Sequence, residues 1–315
     1  VPVKNDAVRL RRCLESLRLA AAGQNTELIV ADNGSTDDSR RVAEAAGASV
    51  LHLPGLKVGE LRNEAARHSA APVLAFVDSD HEVRPGWAAA ALELFAAEPS
   101  IGGVGAPYDS PADGTWVQRM YDALRGNVRG RRDVQWLGSG NLAVRRDAFL
   151  ALGGFDGRLE ACEDVDLCQR LRAAGFRIVA DERLGSIHHG DPPTLRRLLV
   201  SELWRGRDNL RVSLRGPLSA RSLPSIVFPI LQLAALLALP AALVGMPWLG
   251  TAPTAVAAAS LLVPTLLRTA GMLANHRRVS PLVLPQALAV ALTYDAARAL
   301  ALVFRARHHR ARQAA

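Results

Sequence analysis

The sequence predicts an α/β fold, a mostly parallel sheet with helices on both faces, followed by apolar helices. Three observations predict it. Short apolar runs alternate with amphipathic helical stretches up to about residue 210, the pattern of strand–helix units. Several of these runs end abruptly in carboxylates, as at Val77-Asp78-Ser79-Asp80, and ligands bind at such strand ends in open α/β sheets. From Leu223 onward the chain is strongly apolar, with charges confined to short clusters. The expected division is an α/β domain over 1–215 and a membrane region over 216–315.

The elements follow in order. Residues 1–3 read as the end of a first strand whose start lies upstream. Residues 7–21 place Val8, Leu10, Cys13, Leu14 and Leu17 at helical spacing with arginines opposite. Residues 27–31 form a strand closed by the turn Asp32-Asn33-Gly34-Ser35. A helix over 37–46 stops at Gly47. A strand over 49–53, a helix over 57–69, the strand 72–77, a helix over 86–97 and a strand over 101–106 continue the alternation. Segment 107–133 is polar and Arg-rich, with one helix at 116–124, and is expected to move over the site. Strand 142–145 and helix 146–151, stopped by Gly153-Gly154, precede helix 163–174, capped by Gly175. Strand 177–180 leads to a loop carrying His188-His189-Gly190, then to a basic amphipathic helix over 194–214.

Residues 224–249 are apolar and charge-free, longer than the roughly 20 residues a membrane span needs. Residues 251–267 form a second such stretch, and 268–278 carries three arginines. A third apolar segment, 282–304, is interrupted by Asp295 and Arg298, whose spacing predicts an ion pair that eases their burial. Basic flanks mark the cytoplasmic side. The globular domain, the 268–278 loop and the basic tail 305–312 therefore share that side. Two spans satisfy this rule, so the third segment is expected to be re-entrant, interfacial or packed on the hairpin. The alternative is a buried bundle in a soluble protein.

Composition narrows the partners. The 315-residue chain has a net charge of +8, and arginine clusters recur at 125–132, 196–215 and 305–312. Beside apolar spans these suit an anionic membrane surface, and nucleic acid is not the expected partner. Cys13, Cys162 and Cys168 form no CxxC and no metal-binding spacing. They read as reduced thiols of a cytoplasmic domain.

Five features carry chemistry. Asp78 and Asp80, two carboxylates at one strand end, suit Mg²⁺ or Mn²⁺ held against a diphosphate. Asp32 ends another strand, where it can accept a hydrogen bond from a base or ribose, and Gly34 lets the backbone approach a ligand. Glu163-Asp164, with Asp166, opens a helix. Carboxylates favour a helix N-terminus, but three acids in four residues exceed what a cap needs, and one of them is a candidate general base. His188 or His189 is a candidate imidazole ligand for the same cation. Arg62, near a helix start, is a candidate phosphate contact.

In this order the motifs resemble glycosyltransferase family 2, the inverting family with the GT-A fold, in its membrane-anchored bacterial form. The matching elements are Val1-Pro2-Val3-Lys4-Asn5, Asp32-Asn33-Gly34-Ser35, Leu61-Arg62-Asn63 and Asp78-Ser79-Asp80. Gly140-Asn141-Leu142-Ala143-Val144-Arg145-Arg146 and Gly153-Gly154-Phe155-Asp156 before Glu163-Asp164 complete the series. The resemblance covers residues 1 to about 210. It implies that Pro2, Val3, Asp32, Gly34, Arg62, Asp78 and Ser79 bind the nucleotide-sugar donor, with Asp78 at the ribose or the metal. It implies that Asp80 and His188, or His189 in its place, hold the divalent cation. Asp164, with Glu163 beside it, would be the catalytic base. The implied reaction passes a sugar from a UDP-, GDP- or dTDP-linked donor to a hydroxyl of a glycolipid or polyprenyl-linked acceptor, for cell-envelope polysaccharide at the cytoplasmic face of the inner membrane. Lys4 and Asn33 depart from the residues common at those positions and leave the base open. Trp204-Arg205 matches the basic element of processive synthases only loosely, which argues against a cellulose-type polymerase. A nucleotidyltransferase acting on sugar phosphates would bring a Gly-rich loop near the N-terminus, and residues 1–11 contain no glycine. A degenerate membrane-bound scaffold is the other alternative; intact Asp80 and Glu163-Asp164 count against it.

Overall fold

A computed structural model describes residues 1–126, 130–216, 222–276 and 281–304. The chain forms two compact units, Val1–Ala112 with Asn127–Asp191, and Asp113–Gly126 with Pro192–Ala315. Segments 113–126 and 192–215, which the sequence reading groups with the first domain, thus belong to the second unit.

The first unit opens with β1 (Pro2–Val3), α1 (Ala7–Ala20), β2 (Ile29–Asp32), α2 (Ser39–Ala45), β3 (Ser49–His52) and α3 (Val58–His68). Its first three strands pair in parallel in the order β1-β2-β3. Next come β4 (Val73–Val77), β5 (His81–Val83), α4 (Trp87–Ala97) and β6 (Ile101–Gly105). After α5 (Trp116–Arg125), part of the second unit, the chain adds β7 (Arg131–Val134), β8 (Asn141–Arg145), α6 (Arg146–Ala151), α7 (Glu163–Ala173), β9 (Arg177–Asp181) and β10 (Ser186–His188). A five-stranded sheet has the order β4-β8-β6-β9-β7. There β6 and β9 are the one pair of neighbours in parallel: β8 is antiparallel to both β4 and β6, and β7 is antiparallel to β9. This sheet is mixed.

Alternation along the strands divides the core between the two faces. Val77, Val104, Ala143 and Val179 join Trp87, Leu94 and Phe95 of α4. On the other face Phe76, Leu142, Val144 and Ile178 meet Phe149, Phe155, Leu167 and Leu171. Leu167 and Leu171, four residues apart, anchor α7 and fix where its first turn stands. His188, expected in a loop, ends β10, which pairs antiparallel with β5. Strands this short carry no periodic signal for a sequence reading to find.

The second unit is helical. Beyond α5 it contains α8 (Leu195–Gly206), α9 (Asn209–Ser213), α10 (Leu223–Leu249), α11 (Ala252–Asn275) and α12 (Val283–Leu300). The helix expected over 194–214 is therefore two, broken at Arg207-Asp208. Val117, Met120, Leu198, Met272, Ala287 and Val290 form its core. Helices α10 and α11 are long and apolar enough to cross a membrane. Much of their surface points outward: Leu237 is 72% and Trp248 80% exposed. Helix α11 runs past Arg268, where a cytoplasmic loop is expected. That guanidinium donates from Nε to Asp295 Oδ1 at 2.8 Å and covers the Tyr294 ring, so the charge is held within the bundle. The expected pairing of Asp295 with Arg298 gives way to this one. Thr265 also donates to Asp295 at 2.8 Å, while Arg298 pairs with Glu202 of α8 at 2.9 Å. Burial pushes the Glu202 carboxyl up, but Arg298 and Arg205 outweigh it and hold the group below its ordinary range. Residues 127–129 of the Arg-rich segment, 277–280 of the basic loop and the tail from 305 lie outside the described residues.

Candidate active site

At the end of β4 the chain turns through Asp78-Ser79-Asp80 and restarts as β5. Ser79 sits half-buried in that turn. The β5–β10 register sets His81 directly opposite His188, and directly opposed side chains share one face of a sheet. Asp80 Oδ2 lies 3.4 Å from His188 Nε2. His188 Nδ1 meets Asp191 Oδ1 at 2.7 Å, and Ser110 donates to Asp191 Oδ2 at 3.1 Å. His81 Nδ1 lies 3.0 Å from Ser186 Oγ. The two imidazole rings are 4.6 Å apart, and Tyr108 stands 4.8 Å from each. A Cβ on Gly190 would collide with the Asp80 carboxylate and with His188 Nε2, so the backbone can pass this close only as glycine. His189 lies outside this group: its Nε2 meets Glu82 Oε2 at 3.0 Å.

Charge is unevenly distributed here. Burial would push Asp80 up, but His188, then His81 and Arg9, hold it well below the usual carboxylate range. Burial would make His188 neutral, yet the carboxylates of Asp191 and Asp80 on its two nitrogens hold its pKa well above the ordinary value. Burial, then the charge on His188, lowers His81 to about 4.

These residues fit a divalent cation. Two groups on one such ion stand about 3 Å apart when each bond is about 2.1 Å, and Asp80 Oδ2 and His188 Nε2 are 3.4 Å apart. The outer nitrogen of His188 rests on a buried carboxylate, the arrangement that orients metal-binding histidines. Asp80, His81 and His188 form the cluster whose potential ligand atoms all lie within 4.8 Å of one another.

The first turn of α7 supplies the other carboxylates. Cys162, with φ 61°, turns the chain into the helix through a left-handed residue. Glu163 is buried, and its Oε1 accepts from Arg62 Nη1 at 2.8 Å and from Ser139 Oγ at 3.1 Å. Arg62 Nη2 donates to Asp78 Oδ1 at 2.5 Å. One guanidinium, 3% exposed, thus bridges the end of β4 and the start of α7. Both terminal nitrogens face carboxylates, unlike the phosphate-facing arginine expected from the sequence. Asp164 Oδ1 accepts from the Val165 N–H at 2.8 Å and Oδ2 from the Ser139 N–H at 3.3 Å. Burial, then the neighbouring Glu163 charge, raises Asp164 to about 7; the backbone donors and Arg62 only partly oppose this. The third acid, Asp166, is spent within the helix on Arg170 at 2.7 Å.

Pro2 and Val3 pair with Ala31 and Asp32 in the β1–β2 ladder. Asp32 is fully buried; its Oδ1 accepts from the Ser35 N–H at 3.0 Å, and its Oδ2 lies 3.1 Å from His52 Nδ1. Gly34 has φ 69°, which lets the turn close under Pro54. The Asn33 side chain ties this turn to the next loop through Gly55 N–H at 2.7 Å and Leu56 O at 2.9 Å.

His81, Asp191 and Ser139 join these clusters without having been singled out in the sequence. His81 directly follows the Asp-x-Asp, and Asp191 follows His188 at His-x-x-Asp spacing. Both signals are short and gain meaning only once β5 and β10 pair.

In sequence and in fold the chain resembles known proteins. Residues 1–153 match the family model for glycosyl transferase family 2. The pre-mycofactocin glycosyltransferase of Mycobacterium tuberculosis is 30% identical over 230 residues, which cover 69% of this chain and 47% of that protein. The chain therefore spans about half the length of that relative. The N-acetylglucosaminyl-diphospho-decaprenol L-rhamnosyltransferase of the same organism is 27% identical over 268 residues, covering 68% of this chain and 87% of that one. The structure of the mannosyltransferase PcManGT from Pyrobaculum calidifontis, solved with GDP-Man and Mn²⁺, superposes with a TM-score of 0.58 at 15% identity, over 95% of this chain and 85% of the other. That likeness is one of fold, the GT-A fold that the ordered motifs imply. On the strength of the matched residues and the shared fold, this chain belongs to glycosyl transferase family 2.

Proposed function

We propose that this chain transfers a sugar, with inversion, from a nucleotide-sugar donor to a hydroxyl of a lipid-linked acceptor at the cytoplasmic face of a membrane. The observation that carries the reading is the Arg62 bridge. It ties Asp78, beside Asp80 and the histidines, to Glu163, beside Asp164. The cation end and the base end of the site are thereby held in one rigid frame.

In this reading Asp164 accepts the proton of the acceptor hydroxyl as its oxygen attacks the anomeric carbon. The bond from that carbon to the diphosphate oxygen breaks, and the electron pair leaves with the nucleoside diphosphate. A raised pKa suits this task, because a general base works best when poised near the operating pH. A divalent cation held by Asp80 and His188 would supply positive charge to the departing diphosphate. Arg62 positions Asp78 and Glu163, and Ser139 orients Glu163 through its hydroxyl and Asp164 through its N–H. Asp32, Gly34 and the β1–β2 edge at Pro2 and Val3 form the nucleotide end, with Ser79 in the turn between it and the cation.

The acceptor class follows from α10 and α11. Two spanning helices hold the enzyme at the bilayer, which raises the effective concentration of membrane-embedded acceptors. One relative is named for acting on N-acetylglucosaminyl-diphospho-decaprenol, which favours a polyprenyl-linked acceptor here. The test is incubation of the full chain with labelled UDP-, GDP- and dTDP-sugars, Mn²⁺ or Mg²⁺ and membrane lipid extract. Label should enter the lipid fraction with one donor class and fail to do so with Asp164→Asn. No transfer from any donor, or transfer unaffected by that substitution, would refute the reading.

A further inference from the structure

We propose that His81 is a third protein ligand of the cation, giving a two-imidazole, one-carboxylate site that selects Mn²⁺ and other first-row divalent ions over Mg²⁺. The inference rests on the metal reading above and adds to it a residue and a selectivity.

The register carries the first step. His81 and His188 are directly opposed on antiparallel strands, and their rings lie 4.6 Å apart. Both imidazoles are pinned from outside by the same nitrogen. His188 Nδ1 faces Asp191 at 2.7 Å, and His81 Nδ1 faces Ser186 Oγ at 3.0 Å. When Nδ1–H donates outward, the lone pair sits on Nε2, and both Nε2 atoms are turned toward the strand-end carboxylates. The absent side chain at Gly140 marks where His81 Nε2 points: a Cβ there would lie 2.8 Å from His81 Nε2 and 2.9 Å from Asp78 Oδ2. His81 is 2% exposed and His188 6%, and Tyr108 stands edge-on against both rings. Neither ring can turn away without disrupting this packing.

Ligand chemistry carries the second step. Mg²⁺ prefers oxygen ligands and retains its waters, whereas imidazole nitrogen suits the first-row transition ions. One histidine among carboxylates and waters discriminates little. Two histidines shift the balance toward Mn²⁺ and its heavier neighbours.

The experiment uses the full chain in detergent with Mn²⁺ alone. Pulsed electron paramagnetic resonance counts the nitrogens coupled to the manganese, and calorimetry compares Mn²⁺ with Mg²⁺. The expected result is two imidazole nitrogens in the wild type and one in His81→Gln. Mn²⁺ should bind at least tenfold more tightly than Mg²⁺, and His81→Gln should lose about 10–100-fold in Mn²⁺ affinity. A single coupled nitrogen in the wild type, equal affinities for the two ions, or unchanged Mn²⁺ binding in a folded His81→Gln protein overturns the proposal. The wild-type nitrogen count decides even if that variant does not fold. A single nitrogen overturns only the role of His81, whereas no Mn²⁺ binding at all overturns the metal reading itself.

Discussion

The raised pKa of Asp164 makes a prediction with a definite shape. With a midpoint of about 7, about a tenth of the molecules carry the ionised base at pH 6 and about nine-tenths at pH 8. An ordinary aspartate, near 3.9, would be fully ionised throughout that range. Turnover at saturating donor should therefore rise about tenfold between pH 6 and pH 8, with a slope of about one per pH unit below 6. Asp164→Asn keeps the shape but cannot accept the proton, and should cost on the order of 10²–10⁴-fold in turnover and flatten the profile. The assay is the initial rate of sugar release from a labelled donor between pH 5 and 9. A flat wild-type profile, or an Asp164→Asn rate within tenfold of wild type, would refute the assignment. Stability gives an independent check with the opposite sign. The folded state holds the Asp164 proton more tightly than the unfolded chain. The stabilisation is therefore complete below about pH 4 and is lost as pH rises through about 7. A shift from 3.8 to about 7 sets a ceiling on the order of 4 kcal/mol, and partial solvent exposure of Asp164 reduces it to roughly 1–2 kcal/mol. Asp164→Asn should thus melt higher than wild type at pH 8, with the gap closing toward pH 4.

Glu163→Gln removes the negative neighbour of Asp164, so the midpoint of the turnover profile should move below 7; an unmoved midpoint would assign the titration to another group. Asp80→Ala should abolish Mn²⁺-dependent binding of nucleoside diphosphate in calorimetry while circular dichroism stays unchanged, and retained metal dependence would remove Asp80 from the cation site. Arg62→Met strands Asp78 and Glu163 without their shared cation and should destabilise the chain by about 3–5 kcal/mol in thermal or denaturant unfolding. Arg62→Lys should rescue little, because an ammonium cannot span both carboxylates as the planar fork does.

The strand–helix alternation was legible wherever an apolar run exceeded four residues or a helix had a full amphipathic face. That covers α1, β4, α4 and α7, and with them the placement of Asp78, Asp80 and Glu163-Asp164 at element ends. It failed where structure is made by pairing alone. The polar, three-residue β5 and β10 carry His81 and His188, and no periodicity distinguishes them from loop. The Arg62 bridge was equally hidden. A lone arginine on a helix suggests a phosphate contact, and only the meeting of β4 with α7 shows two carboxylates already holding it. Beyond Leu223 hydropathy located α10 and α11, but charge spacing misassigned the ion pairs. Asp295 and Arg298 are three residues apart on one helix, yet each turns to a different neighbour, Arg268 on α11 and Glu202 on α8. Local pairing competes with every partner the bundle brings close, and sequence shows only the local one.

The division of labour among the carboxylates follows from how few cations are buried with them. Asp78, Asp80, Glu163 and Asp164 crowd two strand and helix ends, and as free anions they would repel one another. Arg62 neutralises one member of each pair, Asp78 and Glu163, at 2.5 and 2.8 Å. The remaining two are left to different fates. Asp80 faces His188 and is held far below its ordinary range, always charged and suited to a cation. Asp164 has backbone N–H donors but no cation of its own, and burial with Glu163 alongside raises it to about 7. Paired acids whose environments drive their pKa values apart take separate roles, one permanently ionised and one exchanging its proton. Here the surroundings create the separation: the buried guanidinium satisfies the inner carboxylate at each end, His188 holds Asp80 down, and burial beside Glu163 holds Asp164 up against the partial opposition of Arg62. Replacing Arg62 should therefore disturb both ends at once. Cation affinity and the pH midpoint of turnover should shift together in Arg62→Lys, although that residue touches neither Asp80 nor Asp164.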